Sequence, residues 1–239
     1  MTPTLSNLKI KLFADGADLE TMIAMSQLEY IKGLTTNPTL MRKSGVTNYK
    51  AFSLEVLSQI KSKPISFEVF SDDESEMIRQ GMEIAGWGEN VYVKIPITTS
   101  HGKSTSGVIK QLVQNQVKVN VTAIMTPEQV AQTCNVLSEN VPSYVSVFAG
   151  RIADTGRDPI DVMVQSLQAM ETKKQSELIW ASPRELLNVF QADQIGCHII
   201  TATSDILNKL NLIGKDLDDY SLETVRMFKN DAEASKFQI

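Results

Sequence analysis

The amino-acid sequence predicts a single (β/α)8 TIM barrel over residues 1–239, with one extra helix at the C-terminal end. Two observations lead to this expectation. Eight short apolar, strand-forming segments each precede a segment with helical periodicity, and no linker or low-complexity run divides the chain. Strict alternation implies parallel strands with right-handed crossovers, and 239 residues suffice for eight such units. We expect residues 216–239 to form a helical extension that packs on the barrel or on a neighbouring subunit.

The predicted strands are short runs rich in valine, isoleucine and other strand-forming residues. In chain order they are KIKLFAD (9–15), YIKGLTT (30–36), ISFEVF (65–70), NVYVKIPIT (90–98), VKVNVTAI (117–124), YVSVFA (144–149), ELIWAS (177–182) and CHIITAT (197–203). The fourth run is apolar at nearly every position, which is typical of a parallel strand that is covered on both faces.

The predicted helices begin at recognisable capping residues. In chain order the start signals are Asp18, Thr47, the acidic cluster at 72–74, the capping box at Thr126, Asp158 with Pro159, a second capping box at Ser182, then Ser204 and Ser221. A further helix is predicted over residues 106–114. Asn37 and Pro38 are interpreted as a turn that ends the second strand.

Composition and charge exclude several classes of function. The formal net charge is −5 and no basic cluster is present, so we expect no nucleic-acid partner. No apolar run approaches the roughly 20 residues of a membrane span, and the N-terminal segment lacks the apolar core of a signal peptide. Two widely separated cysteines, Cys134 and Cys197, fit a reducing cytoplasm. His101 and His198 have no second ligand at metal-binding spacing, so we expect no metal site.

Lys94 lies in the middle of the most apolar predicted strand. Lysine is rarely buried unless it pairs with an opposite charge or takes part in catalysis. An environment without water disfavours its ammonium form. The resulting free amine can attack a carbonyl carbon and form a Schiff base. The alternative is a lysine that reaches solvent from an edge strand or pairs with a carboxylate, and on this segment alone the two interpretations carry equal weight.

Polar residues gather at the C-terminal ends of the predicted strands, where barrel enzymes place their active sites. They are Asp15, Asn37, Glu68, Lys94, Asn120, Thr122, Ser146, Arg151, Ser182 and Arg184. A buried unpaired polar group costs about 1–3 kcal/mol, so polar ends on nearly every strand favour a functional site. Taken singly, Asp15 and Asn37 could be turn residues, Asn120 a core hydrogen-bonding residue and Ser182 a helix cap.

Three of these residues indicate an anion site beyond the sixth and seventh strands. Arg184 is predicted in the first turn of a helix, where the dipole disfavours a cation unless an anion is bound. Arg151 could bring a second positive charge, and barrels often hold phosphate beyond strands seven and eight. We therefore predict a phosphate site formed by Ser182, Arg184 and Arg151, with a surface arginine in each case as the alternative.

Five segments together resemble the signature segments of the transaldolase family, in the same order. They are GLTTNPTL (33–40), VYVKIPIT (91–98), VNVTAIMT (119–126), SVFAGRIAD (146–154) and ASPR (181–184). The chain length resembles the shorter subfamily, which also contains fructose 6-phosphate aldolases. The resemblance implies a class I aldolase-type barrel, a homo-oligomer, sugar phosphate substrates and no metal or organic cofactor.

The resemblance also implies a role for each matching residue. Lys94 matches the Schiff-base lysine, and Asp15 matches the acid/base aspartate, although the family reads closer to DTAD where this chain reads FADGAD. Glu68 and Thr122 match the pair that holds the catalytic water. The residues that match binders of the dihydroxyacetone unit are Thr35, Asn37, Asn120, Ser146 and Phe148, and those that match phosphate binders are Arg151, Ser182 and Arg184. Pro183 stands where an aromatic residue is common.

The function that the resemblance implies is transfer of a dihydroxyacetone unit from sedoheptulose 7-phosphate or fructose 6-phosphate to glyceraldehyde 3-phosphate or erythrose 4-phosphate. The alternative is a fructose 6-phosphate aldolase, which releases free dihydroxyacetone. The aldolases tend to have Gln at the position of Glu68 and Tyr at that of Phe148, so both positions favour transaldolase. A non-catalytic phosphosugar-binding barrel would be expected to lose Lys94 or Asp15, and both are present.

Overall fold

Eight parallel strands form a closed barrel in which each strand pairs with its neighbours in sequence and the first pairs with the last. The structure, a computed structural model, describes residues 4–236 of the chain. The strands are Lys11–Asp15 (β1), Ile31–Thr35 (β2), Ile65–Glu68 (β3), Val91–Pro96 (β4), Val119–Ile124 (β5), Ser143–Val147 (β6), Ser176–Ala181 (β7) and Ile199–Thr203 (β8). The predicted (β/α)8 barrel is confirmed. Most strands are shorter than the predicted segments, because the apolar runs continue into buried loop residues such as Val69, Ile97 and Val117.

Helices follow every strand and surround the barrel. The α-helices are Leu19–Gln27 (α1), Pro38–Lys43 (α2), Tyr49–Gln59 (α3), Glu74–Ala85 (α4), Ser106–Gln114 (α5), Pro127–Cys134 (α6), Ala149–Ala153 (α7), Ile160–Ala169 (α8), Leu187–Gln194 (α9), Ser204–Leu207 (α10) and Leu217–Ser235 (α11). The short helices α2 and α7 have no counterpart in the sequence-based expectation. Within residues 4–236, no helix is both long and apolar enough to cross a lipid bilayer.

Several predicted helix starts are confirmed at the level of the capping hydrogen bond. Asp18 accepts a hydrogen bond from the backbone N–H of Thr21, and Asp73 caps α4 in the same way. The capping box of α6 is complete, since Thr126 and Gln129 each accept a hydrogen bond from the other's backbone N–H. Helix α5 has the predicted bounds. Local side-chain chemistry therefore determines where α1, α4 and α6 begin, whereas no side chain caps α5.

Two other predicted starts are wrong because a neighbouring residue makes a better cap. Helix α3 is capped by Asn48 rather than Thr47, in agreement with the stronger capping preference of asparagine. Helix α11 begins at Leu217 rather than after Ser221, because Asp216 accepts hydrogen bonds from two backbone N–H groups of the first turn.

Three of the predicted site residues have a different local structure from the one expected. Ser182 does not cap a helix, because its backbone is left-handed with φ 61°, whereas a capping residue needs extended backbone. Helix α9 begins only at Leu187, so Arg184 lies in the preceding loop and the dipole argument for its anion site does not apply. Asn37, interpreted as a turn residue, instead caps α2 by accepting a hydrogen bond from Leu40 N–H.

An apolar layer, here called the barrel floor, fills the barrel interior below the predicted site. The floor consists of Phe13, Tyr92, Tyr144, Ile179 and Ile199. The rings of Tyr92 and Tyr144 stack with centroids 4.0 Å apart, and Phe13 meets Tyr144 edge-on at 5.7 Å. Phe13 and Tyr92 lie two positions before Asp15 and Lys94, so each pair shares the inward face of its strand. The floor therefore closes the barrel directly beneath the polar residues.

Helix α11 buries none of its residues against the barrel. Leu217 is 79% exposed and Phe228 is 62% exposed, and Val225 and Met227 are also exposed. The structure therefore does not show this helix packed on its own barrel, and its packing on a neighbouring subunit stays a prediction. Residues 237–239 of the predicted extension, like residues 1–3, lie outside the described residues.

Replacement of Gly33 by alanine tests how tightly the barrel floor is packed. A Cβ atom at this position in β2 would lie 2.4 Å from Cζ of Phe13, so the ring must move and the floor must repack. We expect Gly33→Ala to lower the free energy of unfolding by about 1–3 kcal/mol, measured by denaturant titration.

Gly107→Ala is the matched control, because a Cβ atom on this exposed helical glycine meets nothing within 4 Å. Its stability should be unchanged or raised by up to about 1 kcal/mol through helix propensity. Equal stability of Gly33→Ala and the wild type would contradict the packing described for the floor.

Candidate active site

A pocket of about 440 Å³ opens at the C-terminal ends of the strands, above the barrel floor. Eleven of the twelve residues predicted for the site line it: Asp15, Thr35, Asn37, Glu68, Lys94, Thr122, Ser146, Phe148, Arg151, Ser182 and Arg184. The exception is Asn120, which is fully buried and does not line the pocket. The parallel barrel thus brings residues from seven strands and their loops into one cavity.

Lys94 and Glu68 form a buried ion pair at the base of this pocket. The two residues are register partners on the adjacent strands β3 and β4, which places their side chains side by side. Nζ of Lys94 lies 3.4 Å from Oε2 of Glu68, and the lysine side chain is only 8% exposed. The same Nζ donates a hydrogen bond to the carbonyl oxygen of Thr36 at 3.0 Å. The lysine is therefore buried and paired with a carboxylate, and its role as a nucleophile stays a prediction.

Asp15 ends β1, lines the same pocket and receives hydrogen bonds from two residues. The hydroxyl of Thr35 donates to Oδ1 at 2.8 Å, and Nδ2 of Asn37 lies 3.4 Å from Oδ2. Burial raises the pKa of Asp15, and the positive charge of Lys94 and the two hydrogen bonds oppose that rise. Burial likewise raises the pKa of Glu68 against the opposing effect of Lys94. Both carboxyl groups therefore take up a proton more readily than exposed ones.

A chain of hydrogen bonds runs beneath the pocket from β6 to β3. The hydroxyl of Ser146 donates to Oδ1 of Asn120 at 2.7 Å, and Nδ2 of Asn120 donates to the hydroxyl of Ser66 at 2.9 Å. Ser66 and Asn120 are fully buried, whereas Ser146 faces the pocket. Asn120 therefore acts on the pocket through Ser146, because its amide has no exposed surface.

Thr122 presents a hydroxyl group that has no hydrogen-bond partner among residues 4–236, although the atom is buried. The next residue, Ala123, has a left-handed backbone with φ 61°, and the pairing of β5 with β6 shifts register at this point. Backbone strain of this kind costs about 1–3 kcal/mol and is typical of functional sites. Thr122 and Ala123 both line the pocket, so the bulge shapes its wall.

The two arginines lie at the pocket rim, as the sequence predicts, but one of them is already paired. Arg184 donates through Nε to Oδ1 of Asp154 at 2.9 Å, and its Nη2 pairs with Oδ2 of the same carboxylate. Nη1 of Arg184 donates to the Ser182 hydroxyl at 3.1 Å. The Arg151 guanidinium lies 5.7 Å from the centre of the Phe148 ring. Arg184 is thus held in place from both sides, while Arg151 rests on an aromatic face.

A close backbone contact holds the loop after β7 against helix α7. A Cβ atom on Gly150 would lie 1.5 Å from the carbonyl oxygen of Ser182, so only glycine fits at this position. Ser182 itself carries the left-handed backbone described above. Because Arg151 follows Gly150 directly, this contact sets the positions of Arg151 and Ser182 relative to each other.

Sequence reasoning missed four residues of the site: Lys43, Ser66, Asp154 and Thr201. Ser66 lies two residues before Glu68, so the period of the strand could have placed it on the inward face. Thr201 follows the same logic in β8. Asp154 and Lys43 had no usable signal, because a charged residue in or after a short helix is normally a surface residue. Among the described residues, no group of three or more His, Cys, Asp or Glu side chains is arranged to hold a metal ion.

The raised pKa of Asp15 predicts how stability depends on pH. The folded chain holds this proton more tightly than the unfolded chain, so the stability contributed by Asp15 falls as pH rises through the raised pKa. We expect Asp15→Asn to be more stable than the wild type at pH 7, by about 2–4 °C in Tm if the gain is about 1 kcal/mol. The advantage should disappear at low pH, where the wild-type carboxyl is protonated in both states.

Asp73→Asn provides a control of opposite sign, measured by the same thermal denaturation series. Hydrogen bonds from Ser75 and from the Glu76 backbone lower the pKa of Asp73. The stability of the wild type relative to Asp73→Asn should therefore increase as pH rises. If Asp15→Asn showed the same pH trend as Asp73→Asn, the assignment of a buried, proton-holding carboxyl to Asp15 would be wrong.

The barrel is shared with a solved structure of distant sequence. A mutant flavocytochrome b2 with benzoylformate superimposes with a TM-score of 0.56 at 12% sequence identity, over 84% of this chain and 59% of the flavocytochrome chain. At that identity the likeness concerns the fold alone.

Comparison of sequences identifies the family. Three relatives, each named "probable transaldolase", come from Streptococcus equi subsp. zooepidemicus, Sulfurihydrogenibium sp. and Methanococcus maripaludis C5. The Streptococcus relative is 34% identical over 84% of this chain and 90% of its own length. The Sulfurihydrogenibium relative is 32% identical over 84% of this chain and 88% of its own. The Methanococcus relative is 31% identical over 91% of this chain and 100% of its own. A family model described as transaldolase/fructose-6-phosphate aldolase matches residues 12–239. The chain therefore belongs to the transaldolase/fructose-6-phosphate aldolase family.

Proposed function

We propose that the protein is a transaldolase that moves a dihydroxyacetone unit from a ketose phosphate to an aldose phosphate through a Schiff base on Lys94. The observation that carries this proposal is the buried Lys94 amine, which lies 3.4 Å from Glu68 at the base of a polar pocket. An amine in such a site can attack the ketone carbon of a sugar that enters from the pocket mouth.

Formation of the Schiff base requires a proton relay. In the proposed sequence the neutral amine of Lys94 adds to C2 of the ketose, and the carbinolamine then loses its hydroxyl group as water. Glu68 supplies the proton through a water molecule held by the Thr122 hydroxyl, which has no partner among the described residues. The raised pKa of Glu68, caused by its burial, supports this role because a carboxyl group must hold a proton in order to donate it.

Carbon–carbon cleavage requires a base on the other side of the sugar. Asp15 takes the proton of the C4 hydroxyl, the C3–C4 bond breaks, and its electron pair moves through the iminium to form an enamine on Lys94. The released aldose phosphate leaves, and the enamine attacks the aldehyde carbon of the acceptor, whose new hydroxyl receives the proton back from Asp15. The iminium nitrogen is the electron sink, so this chemistry needs no cofactor.

The three-carbon unit would be held by side chains around Lys94. We assign direct contacts with its hydroxyl groups to Asn37 and Ser146, which line the pocket. The Thr35 hydroxyl donates to Asp15, so we assign Thr35 a supporting role beside that carboxylate. Asn120 has no exposed surface, so we assign it a supporting role through its hydrogen bond with Ser146. Phe148 supplies an apolar wall on the same side.

The phosphate group would bind at the rim, between Arg151, Arg184 and Ser182. The bidentate pair of Arg184 with Asp154 holds the guanidinium at this rim, and the Ser182 hydroxyl lies against it. Arg151 forms no salt bridge with a carboxylate of the described residues, which leaves its charge available to an anion. Pro183 lies between these binders and carries no side-chain donor.

The alternative within the family is a fructose 6-phosphate aldolase, which releases free dihydroxyacetone. Two pocket residues favour transfer. Phe148 has no hydroxyl group that could protonate the enamine, and Glu68 stands where the aldolases tend to have Gln. We also infer a homo-oligomer, since α11 exposes Leu217, Val225 and Phe228 without a partner in the described part of its own chain. A cytoplasmic location is inferred from the free cysteines Cys134 and Cys197.

Reductive trapping tests the Schiff base. We expect wild-type protein incubated with fructose 6-phosphate and sodium borohydride to gain the mass of a sugar-derived unit on the peptide that contains Lys94. Lys94→Met should lose this label completely, whereas Lys110→Met, an exposed lysine of α5, should keep it. Absence of the label in the wild type, or equal labelling of Lys94→Met, would overturn the proposal.

Product analysis distinguishes transfer from simple cleavage. With fructose 6-phosphate and erythrose 4-phosphate, we expect sedoheptulose 7-phosphate, and little free dihydroxyacetone without the acceptor. Phe148→Tyr should raise release of free dihydroxyacetone relative to transfer by about 10-fold or more, because a phenol can act as a general acid. Phe148→Leu, which removes the ring without adding a hydroxyl group, should not raise it. Accumulation of dihydroxyacetone by the wild type would favour the aldolase instead.

A further inference from the structure

Thr201 of β8 is the buried pocket residue whose hydroxyl continues the hydrogen-bond system of Asp15. Its Oγ1 lies 2.6 Å from Oγ1 of Thr35, and Thr35 in turn donates to Oδ1 of Asp15 at 2.8 Å. Thr35 and Thr201 are 2% and 6% exposed, so water does not compete for either hydroxyl. The two threonines come from the strands on either side of β1, and they meet beside its catalytic candidate.

The direction of these hydrogen bonds follows from counting protons. A threonine hydroxyl has a single proton, and in the ionised state, in which Asp15 would act as a base, its carboxylate can only accept. The Thr35 proton therefore goes to Asp15, and the bond between the two hydroxyls must be donated by Thr201. The result is a one-way chain from Thr201 to Thr35 to Asp15, in which Thr201 fixes the rotation of the Thr35 hydroxyl.

The chain makes the two oxygens of Asp15 unequal. Oδ1 accepts a short, directed bond from Thr35, whereas among residues 4–236 the one hydrogen bond to Oδ2 is the 3.4 Å contact with Nδ2 of Asn37. The hydrogen bond that Oδ1 accepts from Thr35 lowers the basicity of that oxygen. A proton that arrives at this carboxyl group is therefore expected to bind at Oδ2, whose contact with Asn37 is longer.

We propose that Thr201 is a positioning residue that locks the Thr35 hydroxyl onto Oδ1 of Asp15 and so reserves Oδ2 for proton exchange with the substrate. This inference rests on the proposed function, in which Asp15 takes the C4 hydroxyl proton and later returns it. Thr201 touches neither the sugar nor the breaking bond in this proposal. Its effect reaches the reaction only through Thr35.

The charged groups that face Asp15 are Lys94 of β4 and Glu68 of β3. Neither is changed by a substitution at Thr201. A hydrogen bond donated to a carboxylate favours its charged form, so the bond from Thr35 lowers the pKa of Asp15 against the effect of burial. Loss of the Thr201 hydroxyl would free the Thr35 hydroxyl to rotate, and the pKa of Asp15 would rise further.

Two variants at this position separate the hydroxyl group from the shape of the side chain. Thr201→Val keeps the volume and removes the hydroxyl, while Thr201→Ser keeps the hydroxyl and loses a methyl group. The first measurement is the titration of the Asp15 carboxyl carbon by NMR in protein labelled with ¹³C-aspartate, assigned with Asp15→Asn. We expect a higher midpoint in Thr201→Val and an unchanged one in Thr201→Ser.

The second measurement is kinetic, with fructose 6-phosphate as donor and erythrose 4-phosphate as acceptor. Thr201→Val should lower kcat by about tenfold, with KM and borohydride trapping on Lys94 within about twofold of wild type, because only Asp15 is affected. The acid limb of the kcat/KM profile should move to higher pH. Thr201→Ser should restore both quantities.

The outcomes distinguish this inference from the proposed function. If the wild type is not trapped by borohydride, the transaldolase proposal fails, yet the NMR titration still decides whether Thr201 acts on Asp15. Unchanged Asp15 titration in a folded Thr201→Val protein overturns the positioning role. Equal losses in the valine and serine variants, in parallel with lower Tm, would show that Thr201 contributes packing only.

Discussion

The burial of a charged pair depends on the layer beneath it. Lys94 and Glu68 sit side by side on adjacent strands, 3.4 Å apart, and the stacked rings of Tyr92 and Tyr144 close the barrel below them. Without that floor, water would enter from below and screen the interaction of the two groups. The floor in turn needs Gly33, because no side chain fits against the Phe13 ring at that place. One packing constraint in the barrel interior thus sets the electrostatics of the pocket.

The pocket is built at a cost to stability. Burial raises the pKa values of Asp15 and Glu68, so the folded chain tolerates two carboxyl groups that would be better solvated outside. Ala123 and Ser182 hold left-handed backbone at the pocket wall and rim, a conformation that glycine would adopt more easily. These features concentrate around one cavity, as expected where proteins retain strained and desolvated groups for function.

The sequence predicted the architecture well because burial on both faces leaves a direct mark on the composition of each strand. Each strand of a closed parallel barrel is covered on both faces, so it appears as a short apolar run, and polar exceptions such as Lys94 and Asn120 stand out. The first residue of a helix was predicted less accurately, because several capping residues stand within a few positions of one another, as Thr47 and Asn48 do. Ser182 was misassigned for a further reason. Its conformation is imposed by contact with Gly150, which is distant in the chain.

The sequence alone determined the fold class and the set of chemical groups at the strand ends, since both follow from the order and period of residues along the chain. The tertiary structure decided how those groups are paired. Register between β3 and β4 joined Lys94 with Glu68, and closure of β8 onto β1 brought Thr201 to Thr35 across 166 positions of sequence. The tertiary structure also buries Asn120 completely, so that it does not line the pocket. Such pairings depend on distances between strands, and no local pattern encodes those distances.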